Sequence, residues 1–104
     1  MADAETLMAQ MRARAAVLGA LGYRVRFDLT DTGESILVDG QPGGEIGPAT
    51  EATEADTVLR LASGDLEKLI AGRLSPMLAF STGRLRVEGS KGVALKLASL
   101  LDED

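Results

Sequence analysis

Apolar residues recur along this chain at two spacings. Between Asp3 and Leu21, Leu7, Met11, Ala15, Leu18 and Leu21 stand three or four residues apart, with Arg12 and Arg14 off the stripe. That spacing predicts an amphipathic helix over 3–21, with Gly22 at the expected stop. The period then changes to two. Tyr23, Val25, Phe27 and Leu29 alternate with Arg24, Arg26, Asp28 and Thr30, the pattern of a half-buried strand. Asp31-Thr32-Gly33 supplies a turn, and Glu34 to Asp39 offers a second strand with Ile36 and Val38 on one face.

From Gly40 to Ala52 the chain holds four of its twelve glycines and two of its three prolines, which reads as a loop; Pro42 and Pro48 argue against a central strand there. Alternation resumes in Thr57, Leu59 and Leu61. Ser63 is placed to cap a short helix from Gly64 to Ala71, with Asp65 and Glu67 in its first turn and Gly72 at its end. Pro76 suits the first turn of another short helix, which Gly83 closes. Leu85 and Val87 mark a last strand. Ser90 then caps a closing helix whose stripe is Val93, Leu97, Leu100 and Leu101. Alternating strands bury one face and need helices to cover it, so the predicted class is α+β, a mainly antiparallel sheet with helices on one side. A length of 104 residues without an internal repeat or linker predicts one domain over 1–104.

Composition narrows the chemistry by what is missing. There is no His and no Cys, which removes imidazole bases, thiolate nucleophiles, disulfides and ordinary zinc sites. Eleven basic residues face sixteen acidic ones, a net charge of −5. That balance disfavours a nucleic-acid partner and a polybasic membrane anchor, leaving at most transient contact with a membrane surface. No signal-like or membrane-spanning run is present, and the expected location is cytoplasmic. Asp28 to Glu34 places three of these acids, Asp28, Asp31 and Glu34, around Gly33, but not at calcium-loop spacing, so a hairpin turn is the simpler reading. The glycines at 40, 43, 44 and 47 do not open a helix and make no dinucleotide fingerprint. Gly89-Ser90-Lys91-Gly92 precedes a helix, so its amides suit either an anionic head group or plain capping. The acids 102–104 read as a solvated tail. No catalytic constellation, metal site or cofactor is expected.

Four segments carry a family resemblance. Asp56-Thr57-Val58-Leu59-Arg60-Leu61 precedes a helix; Ala71-Gly72-Arg73-Leu74-Ser75-Pro76-Met77 follows it; then come Ser81-Thr82-Gly83-Arg84-Leu85-Arg86-Val87-Glu88-Gly89 and Ala94-Leu95-Lys96-Leu97. In this order and spacing they resemble the sterol carrier protein family, the type-2 lipid-transfer domain, in a stand-alone bacterial-type form. The resemblance implies about five strands, with an apolar cavity between sheet and helices that holds a lipid chain. Fifteen alanines beside three aromatic residues are compatible with such a cavity or with a small dry core.

The expected function is therefore non-enzymatic binding and carriage of a fatty acid, fatty acyl-CoA or similar amphiphile. The alternative is an accessory or assembly module for lipid- or quinone-handling enzymes. Candidate chain-contacting residues are Phe27, Leu29, Leu59 and Leu61 for a floor, Leu69, Ile70, Met77 and Phe80 for a wall, and Val93, Leu97 and Leu101 for a lid. Gly89, Ser90, Lys91 and Gly92 are candidates for a head group. As the terminal element, the segment 93–104 is the expected gate.

Overall fold

The computed structural model describes residues 3–41 and 44–102, less the side chains of Ala15, Val17 and Asp102. Pro42 and Gly43 of the glycine-rich stretch, and most of the acidic tail, thus lie outside the described residues. Helices α1 (Ala4–Ala13) and α2 (Ala15–Leu18) lead into β1 (Arg24–Leu29), β2 (Ser35–Asp39), β3 (Ile46–Ala49) and β4 (Thr57–Leu61). Helices α3 (Ser63–Ile70) and α4 (Pro76–Ser81), strand β5 (Arg86–Gly89) and helix α5 (Lys91–Asp102) complete the chain. Among the described residues no helix is long and apolar enough to cross a membrane.

The five strands form one sheet in the order β3-β2-β1-β4-β5. Three pairings are antiparallel, and β1 pairs with β4 in parallel, Phe27 opposite Leu59. The expected architecture thus stands with one amendment, since the sheet is mixed. The parallel pair arises because the chain leaves the β3 edge and crosses back over β2 and β1 before entering β4, as a parallel neighbour requires.

That crossover runs over the polar face and is clamped there. Arg26, only 8% exposed, donates to the carbonyls of Glu51 (2.7 Å) and Thr53 (2.9 Å) and grips Asp28 through two nitrogens. The Ser35 hydroxyl also donates to Asp28, at 2.8 Å. Burial pushes the Asp28 carboxyl up, but hydrogen bonds from Arg26 and Ser35 and the charges of Arg26 and Arg60 outweigh it, holding the group below the usual carboxylate range.

The opposite face is apolar, as the period-two pattern predicts. Val25, Phe27, Leu29, Ile36, Val38, Leu59 and Leu61 are all buried beneath the helices. Helix α1 lies over β2 and β3 and against α3, while α5 lies over β4 and β5 and against α2 and α4. The helix expected over 3–21 is broken at Arg14, which leaves helical geometry at φ −112°, ψ 26°. Its guanidinium reaches the Ile70 carbonyl at the end of α3 (2.7 Å), which ties the break to that helix.

Two further differences have local causes. A strand, β3, forms where a loop was expected, but it is an edge strand, the place where Pro48 is tolerated. Ser63 does not cap α3; it occupies the first helical position. The cap comes from Asp31 in the β1–β2 turn, which accepts from the Ser63 amide (2.9 Å) and hydroxyl (2.6 Å). Those two bonds, the hydroxyl first, lower the Asp31 pKa.

Candidate functional site

At the β5 end the helical layer is open. Ser75 caps α4, Pro76 opens it, and Thr82 closes it by donating to the Leu78 carbonyl at 2.9 Å. Gly83, at φ +79°, then turns the chain so that the amides of Arg84 and Leu85 both reach the Ala79 carbonyl. This tight return places Leu85 and Val87 beneath the gap between α4 and α5.

An apolar cleft of about 110 Å³ fills that gap. Pro76, Met77 and Phe80 from α4 form one wall, Leu85 and Val87 the floor, and Ala94, Leu95 and Ala98 from α5 the other wall, with Lys91 the one charged lining residue. The space exists because α5 offers small side chains at two positions one turn apart, Ala94 and Ala98, while α4 buries only Pro76 and Ala79. Val87 is opposite Leu59, so the floor is continuous with the main core.

A wider depression of about 660 Å³ lies near α1, the β1–β2 turn and β3, but Glu5, Glu34 and Glu51 line it. Three carboxylates make it unsuited to a fatty-acid head. Among the described residues no group of three or more acids is placed to hold a metal ion.

The structure brings Met77, Phe80 and Lys91 together at the cleft. Phe27, Leu29, Leu59, Leu61, Leu69, Ile70, Val93, Leu97 and Leu101 instead sit in the continuous core, each 9% exposed or less. The buried stripe of α5 makes that helix a wall of the core, while α4 beside it buries Pro76 and Ala79. Of the glycine-flanked segment, the Ser90 amide donates to the Asp56 carbonyl and the Ser90 hydroxyl accepts from the Val93 amide, which is capping. A Cβ on Gly89 would meet the Asp56 carbonyl at 3.1 Å, and Gly92 does not line the cleft. Pro76, Leu85, Val87, Ala94, Leu95 and Ala98 were not anticipated. The pair Ala94 and Ala98, four residues apart beside the Leu97 stripe, was the available signal.

A mixed sheet roofed on one face by helices, with an apolar cleft opening under the roof, defines a class of open-sheet α+β domains. Within it the match is specific: the model of the SCP-2 sterol transfer family covers residues 4–102, and this chain belongs to that family. It is 40% identical over 60 residues to hydroxysteroid dehydrogenase-like protein 2 of Xenopus laevis, 58% of this chain but only 14% of that protein. The chain therefore spans a small part of that relative. Its fold is similar to the solution structure of palmitated SCP2L2 from Aedes aegypti, with a TM-score of 0.77 and 20% identity, covering 99% of this chain and 96% of the other. It is also similar to the UbiJ-SCP2 ubiquinone synthesis protein, with a TM-score of 0.57 and 19% identity, covering 93% and 84%.

Proposed function

We propose that this protein binds a single-chain amphiphile, a fatty acid or fatty acyl-CoA, and carries it without chemical change, the acyl chain entering between α4 and α5. The observation that carries this reading is the apolar cleft at the β5 end, whose floor continues into the core. Each methylene taken out of water contributes about 0.8 kcal/mol, so a chain of ordinary length supplies enough driving force without polar chemistry. The cleft is smaller than the roughly 300 Å³ at which ligand pockets usually begin. Seating a long chain therefore requires α4 to swing away from α5. With six residues, only Pro76 and Ala79 of them buried, α4 is the helix best suited to do so. Lys91 at the rim supplies a cation for a carboxylate or phosphate head.

The test is native mass spectrometry of the protein from cells, followed by titration with a fluorescent fatty acid. A co-purified acyl lipid and loss of probe binding in Met77→Trp, with the fold intact, support the carrier. A second reading, an accessory module for lipid- or quinone-handling enzymes, draws on the match to part of a longer dehydrogenase-like protein and on the likeness to a ubiquinone synthesis protein. A stoichiometric protein partner with no lipid in the same spectrum selects that reading.

A further inference from the structure

The polar face of the sheet holds an arrangement that strand pairing alone does not favour. Arg60 of β4 and Arg86 of β5 stand directly opposite each other in the antiparallel ladder. Like charges across such a pair destabilise it, so the two guanidinium groups are kept together at a cost. Glu88, 2.7 Å from Arg60, relieves one of them, and Asp28 lies farther from Arg60, at 3.9 Å. Among the described residues, Arg86 and Arg84 enter no ion pair.

With Thr30, Leu61 and Gly83, these three arginines line a pocket of about 310 Å³ that contains no acid. It shares no residue with the acyl cleft. Leu85 and Val87 line the cleft, whereas Arg84 and Arg86, alternating with them, line this pocket. Converging guanidinium groups beside a hydroxyl form a donor set for a phosphate, whose oxygens match the planar fork of arginine. A bound dianion would also turn the Arg60–Arg86 opposition into a bridge.

The adjoining ground has the opposite character. A depression of about 200 Å³ shares Thr30 and Arg60 with the pocket and adds Asp28, Glu34, Ser35 and Glu51. Arg26 fixes this wall by donating to the Glu51 carbonyl at 2.7 Å. Glu34 and Glu51 enter no ion pair among the described residues, and ionised carboxylates can only accept. A ligand lying across both depressions therefore presents a phosphate at one end and hydrogen-bond donors at the other.

We propose that this trough binds a water-soluble phosphate monoester with a hydroxyl-bearing body, a sugar phosphate or nucleotide, independently of any cargo in the cleft. The phosphate sits among Arg60, Arg84 and Arg86, and the hydroxyls donate to Glu34 and Glu51.

The experiment is calorimetric titration with ribose 5-phosphate, inorganic phosphate, ribose and palmitoyl-CoA. It is run in about 0.15 M salt, where the Debye length is about 8 Å and diffuse attraction is largely screened. Saturable binding of ribose 5-phosphate is expected, about fivefold or more tighter than that of inorganic phosphate, with none of ribose alone. Arg84→Ala and Arg86→Ala should each weaken it by about tenfold or more. Glu34→Ala with Glu51→Ala should remove the advantage over inorganic phosphate. Arg73→Ala, which deletes the same charge outside the pocket, should leave binding unchanged, as should Ala98→Phe, which fills the cleft. Without ligand, Arg86→Ala should keep or raise the urea midpoint, because the like-charge opposition is gone, so its lost binding is not lost folding. Absence of saturable binding, equal affinity for ribose 5-phosphate and inorganic phosphate, or equal weakening by Arg73→Ala would overturn the proposal. So would binding confined to palmitoyl-CoA and abolished by Ala98→Phe, since the arginines would then serve the head of a cargo held in the cleft.

Discussion

The two ends of the helical layer solve the same covering problem with different residues. Over β2 and β3, α1 with α3 packed against it buries Leu7, Met11, Leu66 and Leu69, each 2% exposed or less. Over β5, α4 and α5 meet across Ala94 and Ala98, and four large apolar side chains on these helices are left facing solvent. The capping differs as well. Carboxylates cap the first end, Asp3 on α1 and Asp31 on α3, while serines, Ser75 and Ser90, cap the second. One end is built to stay closed. The other keeps the sheet covered with smaller contacts, as the proposed entry of an apolar chain between α4 and α5 requires.

The contrast can be broken most forcefully at the closed end. Leu66→Ala removes a fully buried side chain and is expected to cost about 2–5 kcal/mol in urea unfolding, whereas Leu78→Ala at the open end should change stability by less than about 0.5 kcal/mol. Arg26→Ala leaves the crossover carbonyls of Glu51 and Thr53 without their side-chain donor and the Asp28 carboxylate with only the Ser35 hydroxyl and the more distant Arg60. A loss of about 3 kcal/mol is expected, measured the same way.

A substitution that makes the two ends alike sharpens the comparison. Ala98→Phe fills the cleft with a large side chain, and fatty-acid probe affinity should fall by about tenfold or more. The free energy of urea unfolding should hold or rise by the margin typical of cavity filling, about 0.5–2 kcal/mol. Hydrogen exchange read segment by segment should then show α4 opening first, ahead of α1, α3 and α5, and Ala98→Phe, which adds contact between α4 and α5, should slow that opening. If α5 exchanges as fast as α4, the buried stripe is not the restraint described above.

The smallest effect distinguishes the caps. The Asp3 and Asp31 pKa values are lowered from 3.8, Asp3 chiefly by the Thr6 amide and Asp31 by the Ser63 hydroxyl. A carboxyl with a lowered folded-state pKa stabilises fully above the unfolded value and loses that contribution as pH falls through the folded one. Amide chemical shifts of α1 and α3 should therefore move below about pH 3.8 before those of α4 do. Asp31→Asn, which keeps an acceptor without a titrating proton, should remove the α3 response.

Much of this was readable from residue spacing. Val25, Phe27 and Leu29, and likewise Leu59 and Leu61, announced the buried face because strand periodicity is local. Strand β3 was not readable: Gly47 and Pro48 have little intrinsic strand preference, and only pairing to β2 makes the segment a strand. The Asp31 cap was hidden by distance, since the amide it holds lies 32 residues away. Of the candidate site residues, Met77, Phe80 and Lys91 reached the cleft, while the strand leucines were absorbed into the core.

The composition of the sheet's borders has a consequence for self-association. A border strand offers unpaired amides and carbonyls to any extended segment, and a protein with exposed apolar helices has more reason than most to guard against that. Both borders are four residues long. One contains Pro48, which has no amide to donate, and the other alternates Arg86 and Glu88 and ends at Gly89 in a left-handed conformation, φ +89°. Neither border can template a long cross-chain ladder. The molecule can therefore expose its apolar end at high concentration without strand-to-strand polymerisation, a failure that Pro48→Thr would begin to permit.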